Sequence, residues 1–259
     1  MDLNPINNNN IISNPQEKPE DKDFWRGQLL LLPNLLAKEA HHELFLPKSV
    51  DRAVLTLDGL IAENEKEGRA YLKRFGAPFR EMPILLLNKH SQEIEPLLKP
   101  MQKGEKWGLI SDAGLPILAD PGYRLVHRAR ELGIIIKAFV GPSALILALM
   151  LSGLPAQQFA FQGYLPRKPK ETIQMLEIRS LQEKSTQIFI EAPHRNQRLL
   201  ENLLGTLSNR VLLCVAWDLT SPTQGVETHL VSEWKKRSLP NLHKHPAVFL
   251  FFNPGENHD

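Results

Sequence analysis

Short apolar runs alternate with longer amphipathic segments along most of this chain. Several runs are apolar at every position, which is typical of strands covered on both faces of a sheet. The segments that predict strands are 28–32, 54–62, 84–87, 107–111, 134–140, 159–163, 186–191, 211–218, 228–231 and 247–252. Because helical patterns separate these runs, the sequence predicts an α/β fold with parallel sheets.

The helical patterns cover residues 49–57, 65–75, 121–132 and 143–151. In the third, Asp120 is the expected N-cap and Pro121 the expected first helical residue. The fourth is apolar on every side, which predicts a buried helix at a domain or subunit interface.

The pattern divides the chain into three parts. Residues 1–25 are rich in asparagine, proline and charge and have no apolar core, so we expect a disordered tail and no secretory signal. Strands and helices alternate regularly up to Gly141-Pro142 and are spaced more widely afterwards. We therefore expect one α/β domain over residues 26–141 and a second over residues 142–259.

Composition restricts the class of protein only loosely. Of the 259 residues, 42% are hydrophobic, 23% are charged, and the formal net charge is +2, which neither requires nor excludes a nucleic-acid partner. No apolar run approaches the roughly 18 residues of a membrane helix. The single cysteine, Cys214, excludes an intramolecular disulfide and lies in an apolar run, so we expect a buried structural thiol in a cytoplasmic protein.

Several common catalytic motifs are missing from the sequence. No two glycines are spaced as G-x-G, and there is no P-loop lysine, no H-E-x-x-H helix and no complete nucleophile elbow. The histidines and the cysteine have no zinc-binding spacing, so we expect no metal site.

Polar residues follow three of the predicted strands. Asp112 and Gly114 lie in a loop after one strand, where an α/β sheet binds ligands, although a tight turn with a capping aspartate explains them equally well. Ser143 follows another strand and is able to cap the apolar helix or to offer backbone N–H groups to a ligand.

The third polar segment ends a strand at Glu191 and continues through His194 and Arg195. A carboxylate, an imidazole and a guanidinium so close together suit a polar site. The alternative is a helix N-terminus in which the glutamate interacts with the helix dipole.

Five segments, taken in order, resemble the tetrapyrrole (corrin/porphyrin) methylase superfamily, and most closely its branch that methylates a ribose 2′-hydroxyl of small-subunit ribosomal RNA. They are Ser111-Asp-Ala-Gly-Leu-Pro116 with Asp120-Pro-Gly-Tyr-Arg-Leu-Val126, Gly141-Pro-Ser-Ala144, Ser152-Gly-Leu-Pro155, Phe161-Gln-Gly-Tyr-Leu-Pro-Arg-Lys168 and Glu191-Ala-Pro-His-Arg195. The resemblance extends over roughly residues 28–253.

The resemblance implies a two-lobed class III methyltransferase fold, with a parallel N-terminal sheet and a mixed C-terminal sheet. It also implies a homodimer that binds S-adenosylmethionine between the lobes, releases S-adenosylhomocysteine and acts on RNA or a ribosomal subunit. The expected cofactor residues are Pro33, Ser111, Asp112, Ala113, Gly114, Leu115, Ile117, Pro142, Ser143, Ala144, Glu191, Ala192, Ala216 and Ala247. The candidate catalytic residues are Glu63, Glu191 and His194, and the candidate substrate-binding residues are Lys66, Arg69, Arg167, Lys168 and Arg195.

The N-terminal motifs depart from that branch. Its Thr-Pro-Ile-Gly-Asn loop is replaced by Leu32-Pro-Asn-Leu-Leu36, and its Glu-Asp-Thr-Arg stretch by Glu63-Asn-Glu-Lys66. Two alternatives therefore stay open: a methyltransferase for a tetrapyrrole or another small acceptor, and a non-catalytic relative that binds S-adenosylmethionine.

Overall fold

The structure is a computed structural model that describes residues 27–88 and 93–255. The prediction of a disordered tail over residues 1–25 lies outside the described residues. Two five-stranded sheets, one in each half of the chain, form the framework.

The first sheet is wholly parallel. Its strands are β1 (Gln28–Leu31), β2 (Gly59–Ala62), β3 (Ile84–Leu86), β4 (Lys106–Leu109) and β5 (Ile135–Ala138), in the order β3-β2-β4-β1-β5. The helices of this lobe are α1 (His42–Phe45), α2 (Lys48–Val54), α3 (Glu65–Arg74), α4 (Glu95–Gln102) and α5 (Tyr123–Glu131). Leu30 and Leu60 belong to an apolar cluster with α2 and α3, whereas Leu29 and Ile61 belong to one with α4 and α5. Both faces of the sheet are therefore covered, as continuous apolar strands require.

The second sheet is mixed. Its strands are β6 (Phe159–Tyr164), β7 (Thr186–Ile190), β8 (Leu212–Trp217), β9 (Gly225–Leu230) and β10 (Ala247–Phe252), in the order β6-β7-β10-β8-β9. Only β6 and β7 pair in parallel. The helices of this lobe are α6 (Ala144–Ser152), α7 (Lys170–Glu183), α8 (Asn196–Thr206) and α9 (Val231–Trp234), with one 3₁₀ turn at Pro193–Arg195. The predicted α/β class, with a parallel and a mixed sheet, is confirmed.

The sequence misplaced the start of β2. Residues 54–58 do not continue a strand, because Val54 ends α2 and the strand begins only at Gly59. Val54 and Leu57 are buried at the end of a helix and in the turn after it, and a short apolar run cannot distinguish that arrangement from a strand. Gly59 lies so close to Trp107 that a Cβ would overlap the indole ring.

The predicted start of α5 is also wrong. The helix begins at Tyr123 with Gly122 at the N-cap position, so Asp120 does not cap it and Pro121 is not its first residue. The preceding loop has Ile117 and Ala119 at positive φ, and Gly122 has φ 142°. Because of these positive φ angles, the loop continues past Pro121, and the helix begins later than predicted.

The apolar helix α6 is buried on one side only. Ala148 and Leu149 pack in an apolar cluster with residues of the second sheet. Ile146, Met150 and Leu151 are 43%, 72% and 48% exposed, so a single chain buries only part of the helix, and its burial at a subunit interface stays a prediction. No helix in the described part of the chain is long and apolar enough to cross a membrane.

Cys214 lies inside β8 and is fully buried, as expected. Burial raises the pKa of its thiol to about 11, so the side chain stays protonated and acts as a small apolar residue.

Candidate active site

A cleft of about 650 Å³ has walls from both lobes. One wall, which we call the N wall, consists of the loops that follow β1 and β4, and the other, the C wall, consists of the ends of β7 and β8 and the start of β10. Ligands bind at such strand ends in α/β sheets, and the volume suits a small-molecule ligand.

The loop after β4 has a fixed backbone path. The Ser111 hydroxyl donates a hydrogen bond to the Ala113 carbonyl at 3.0 Å. Gly114 has φ 69°, and its carbonyl accepts from the Asn34 N–H at 2.8 Å. A Cβ on Gly114 would lie 3.2 Å from the Pro142 carbonyl oxygen, so glycine allows this loop to approach the segment that joins the lobes.

The buried side-chain amide of Asn34 joins the two loops of the N wall by hydrogen bonds. The Asn34 side chain donates to the carbonyls of Ser111 and Asp112 at 3.0 and 3.2 Å, and its oxygen accepts from the Leu35 N–H and the Arg74 guanidinium at 2.9 Å each. Burial lowers the pKa of Arg74, but the guanidinium keeps a hydrogen-bond acceptor in Asn34. The loop that replaces the branch's glycine motif therefore sets the position of the Asp112 backbone.

Tyr71 also holds the loop that follows β1 in place. Its hydroxyl donates to the Pro33 carbonyl at 3.1 Å, and burial raises the pKa of this phenol, so it stays a donor. Gly141 packs against the Pro33 ring so closely that a Cβ would overlap it. Pro33 thus lies against the segment that joins the lobes and not on the wall of the cleft.

Asp112 lines the cleft. Asn64 Nδ2 donates to its carboxylate at 3.2 Å, while Asn64 Oδ1 caps α3 by accepting from the Glu67 N–H at 2.9 Å. Burial raises the pKa of Asp112, the negative charge of Glu67 raises it further, and Lys38 opposes the increase. A carboxylate in this setting gains from a cationic or N–H donor ligand.

Small apolar side chains form the floor of the C wall. Ala216 of β8 pairs with Val248 of β10, Ala247 pairs with Trp217, and the cleft lining includes Ala216, Ala247, Val248 and Ile190. A floor of this kind leaves room for a flat aromatic group.

Glu191 follows β7 with a side chain only 5% exposed. One of its oxygens accepts from the Ala192 N–H at 2.8 Å, and the other pairs with the Arg195 guanidinium. The carboxylate is therefore held in one orientation at the edge of the cleft.

Two further carboxylates on the cleft, Glu39 and Asp218, were missed by the sequence analysis. Asp218 follows β8, has φ 49°, accepts from the Thr223 hydroxyl at 2.9 Å, and lies 2.7 Å from Nδ1 of His245. It ends a predicted strand just as Asp112 and Glu191 do, so the same signal was present in the sequence. Lys38 also lines the cleft, and no pattern in the sequence pointed to it.

The structure brings only some of the expected cofactor residues together. Those on the cleft wall are Asp112, Ala113, Ala144, Glu191, Ala216 and Ala247. The others do not line that wall: Pro33, Ser111, Gly114, Leu115, Ile117, Pro142, Ser143 and Ala192. Among these, Ser143 caps α6, and Ile117 packs against the core of the first lobe.

Of the three candidate catalytic residues, only Glu191 lines the cleft. Glu63 is half-buried and directly precedes the N-cap of α3. His194 is exposed and lines a second cavity of about 290 Å³, which also has Glu191 in its wall.

The candidate substrate cations are scattered. Lys66 and Lys168 are exposed on different lobes. Arg69 donates to the Phe79 and Met82 carbonyls at 2.7 and 2.6 Å, so its guanidinium supports a turn of its own lobe. Arg167 and Arg195 both line the second cavity.

The family of the chain follows from comparison with known proteins. The model of the Tetrapyrrole (Corrin/Porphyrin) Methylases matches residues 39–234. The chain therefore belongs to the tetrapyrrole methylase family.

Curated relatives point to one branch of that family. The chain is 38% identical over 167 residues to "Ribosomal RNA small subunit methyltransferase I" of Xylella fastidiosa, a match covering 64% of this chain and 60% of that protein. It is 31% identical over 219 residues to the protein of the same name from Escherichia coli O157:H7, covering 83% and 73%. For the Halalkalibacterium halodurans protein of that name, identity is 36%, and the match covers 63% of this chain and 57% of the relative.

Solved structures show the same fold at low sequence identity. The methyltransferase CobJ superposes with a TM-score of 0.58 at 18% identity, covering 91% of this chain and 96% of CobJ. A putative diphthine synthase from Entamoeba histolytica superposes with a TM-score of 0.59 at 14% identity, covering 90% and 94%.

Proposed function

We propose that this protein is an S-adenosylmethionine-dependent methyltransferase that acts on a ribose 2′-hydroxyl of small-subunit ribosomal RNA. The observation that carries the proposal is the cleft between the lobes, where four carboxylate residues and an apolar floor line the wall in a member of the methylase family. The names of the curated relatives support RNA as the acceptor.

The residues of the cleft fit the chemistry of S-adenosylmethionine. Ala216 and Val248, which are paired in the second sheet, offer a small apolar surface to the adenine, and Asp112 offers an acceptor to an amine or a ribose hydroxyl. The ligand carries a sulfonium and an ammonium, which the carboxylates Asp112 and Asp218 would attract. When bound, the sulfonium supplies a methyl group that is already electrophilic.

The protein's own task is then to position the acceptor and to exclude water. A ribose hydroxyl is a poor nucleophile and gains from a group that accepts its proton. Of the candidate catalytic residues Glu63, Glu191 and His194, only Glu191 lines the cleft. Glu191 is therefore the candidate base that the geometry favours. Arg195 and the Ala192 N–H orient its carboxylate, so we assign them a positioning role.

Cofactor binding is tested by calorimetry with S-adenosylhomocysteine. Loss of a hydrogen bond to a charged group costs about 1.5–3 kcal/mol, so Asp112→Ala should weaken binding by about 10- to 150-fold. Glu183→Gln is the control, because Glu183 is an exposed partner of Arg179 on α7. Equal affinities for wild type and Asp112→Ala would remove Asp112 from the site.

Methyl transfer is tested with tritium-labelled S-adenosylmethionine and small ribosomal subunits from a strain that lacks the gene. Glu191→Gln should reduce transfer by about 100-fold or more, as expected for loss of a general base, and should leave S-adenosylhomocysteine binding nearly intact. Mass spectrometry of the nucleosides locates the methyl group. An unchanged set of ribose methylations, together with normal cofactor binding, would contradict the RNA proposal and leave a small acceptor or a non-catalytic protein.

We also propose that the active form is a homodimer that covers the outer face of α6. Ile146, Met150 and Leu151 expose that face in the single chain, and apolar area of this kind favours an interface. Met150→Glu should produce monomers in light scattering after size exclusion, whereas Met175→Glu changes a similarly exposed methionine on α7 and should not. A dimer that survives Met150→Glu would place the interface elsewhere.

A further inference from the structure

The second cavity, which we call the basic pocket, lies beside the cleft in the C-terminal lobe. Its wall includes Arg167 from the loop between β6 and α7, His194 and Arg195 from the 3₁₀ turn, and Arg198 from α8. Pro166 and Pro169 flank Arg167 and restrict the loop that carries it. The cavity measures about 290 Å³, which is large enough for a phosphate with part of its sugar.

The charges in this wall are not balanced within the described part of the chain. Glu191 is its one carboxylate, and that group is already occupied by Arg195 and the Ala192 N–H. Arg167, His194 and Arg198 have neither an ion pair nor a side-chain hydrogen bond to any described residue. Two guanidiniums and an imidazole therefore line one concave space without a protein anion as their partner, an arrangement that favours a bound anion.

The basic pocket and the cleft share Glu191. A strand whose reacting nucleotide enters the cleft beside Glu191 can place the next linkage in the basic pocket, and each such linkage carries a negative charge. Contacts to phosphates fix the register of a nucleic acid without reading its bases. A small acceptor held wholly in the cleft would not contact the cationic cavity that lies next to Glu191.

We propose that the basic pocket binds a backbone phosphodiester of the RNA strand next to the nucleotide that is methylated. This inference rests on the proposed function and specifies how its substrate is held. Arg167 and Arg198 bind the phosphate, His194 donates a further hydrogen bond, and Arg195 keeps Glu191 oriented between the two cavities. His194 is thereby a substrate-binding residue and not a base.

The test compares two double variants that remove the same charge. Arg167→Gln/Arg198→Gln removes the basic pocket's free arginines, and Arg52→Gln/Arg130→Gln removes two exposed arginines from helices of the other lobe. Binding of a fluorescein-labelled single-stranded RNA is followed by anisotropy over a range of salt concentrations. We expect the first variant to bind at least about ten-fold more weakly and its log–log salt slope to shrink by about 1.4, since each lost contact on a single strand contributes about 0.7.

The control variant should keep the wild-type affinity and slope within about two-fold, and both variants should bind S-adenosylhomocysteine as wild type does. In the transfer assay the first variant should raise KM for small ribosomal subunits and leave kcat within about two-fold, as loss of uniform binding requires. An affinity and a slope equal to those of the control variant would overturn the proposal.

A free phosphate compound is a different source of the same chemistry. Melting curves in inorganic phosphate, matched in ionic strength to chloride, distinguish it. We expect inorganic phosphate to raise the melting temperature of wild type no more than that of Arg167→Gln/Arg198→Gln. A larger rise for wild type, with unchanged RNA affinity in the double variant, would assign the basic pocket to free phosphate and overturn the inference. If wild type transfers no methyl to subunits, the proposed function fails, while the binding comparison still decides the role of the basic pocket.

Discussion

The two walls of the cleft hold their functional groups in different ways. In the N wall, neutral hydrogen bonds fix backbone: the Asn34 amide holds the carbonyls of Ser111 and Asp112, and Tyr71 holds that of Pro33. In the C wall, rigid strands end in carboxylates that are oriented by charged partners, as Glu191 is by Arg195. The N wall therefore depends on polar groups that water cannot reach, whereas the C wall depends on partners near the surface.

The difference predicts different consequences when each wall is damaged. A buried amide that is removed leaves several unpaired groups, which lowers the free energy of unfolding. A partly exposed guanidinium that is removed can be replaced by water, so the fold survives and only the orientation of the carboxylate suffers. The mutations below test this division between stability and chemistry.

The largest effect is expected at Asn34. Asn34→Ala leaves two carbonyls, one N–H and the Arg74 guanidinium without their partner, so it should cost about 3 kcal/mol and lower the melting temperature by about 6–12 °C. Calorimetry measures both. Asn209→Ala is the control, because that side chain accepts one exposed hydrogen bond from Lys235. Equal melting temperatures for the two variants would show that water replaces the hydrogen bonds of the Asn34 amide without loss of stability.

The next effect concerns the contact between the loop after β1 and the segment that joins the lobes. Gly141→Ala places a methyl group against the Pro33 ring, and overpacking of this kind should cost about 2 kcal/mol. It should also weaken S-adenosylhomocysteine binding, because Pro33 is adjacent to Asn34. Gly205→Ala is the matched control. It lies in α8 with no atom within 4 Å of an added Cβ, and should gain about 0.5–1 kcal/mol from helix propensity. Chemical denaturation of both variants should therefore give changes of opposite sign.

A smaller effect, confined to chemistry, is expected at Arg195. Arg195→Gln should reduce the rate of methyl transfer about ten-fold, which corresponds to about 1.4 kcal/mol, while the melting temperature changes little. Arg195→Lys should recover part of the rate because it restores the charge. Arg179→Gln, which breaks the exposed pair with Glu183, should behave as wild type. A loss of stability without a loss of rate would mean that the C wall is built like the N wall.

The smallest effect is a dependence of stability on pH at Asp112. Burial raises the pKa of this carboxyl above its value in the unfolded chain, so its ionisation opposes folding above the folded-state pKa. Asp112→Asn removes that cost and should raise the melting temperature at about pH 8 by less than about 2 °C, since the group is partly exposed. The gain should shrink as the pH falls toward about 4. A gain that stays constant with pH would show that ionisation is not its cause.

The sequence predicted the framework because apolar strands covered on both faces have an unmistakable pattern. It also predicted Asp112 and Glu191 as polar residues at strand ends, and Asp218 carried the same signal. The hydrogen bonds of the Asn34 amide could not be predicted, because Asn34 and Ser111 are 77 positions apart in the chain and only tertiary packing brings them together. The start of α5 was misjudged because the left-handed residues Ile117 and Ala119 are not glycines.

The bond between Asn34 and Arg74 also restricts how this protein can evolve. Each side chain is a partner that the other needs, because burial already disfavours the charge on Arg74 and the Asn34 oxygen accepts from it. A change at either position alone would pass through an intermediate with an unpaired buried group, whereas a paired change would not. Related chains with the same loop after β1 should therefore carry both residues or neither, and the two positions should be inherited as a unit.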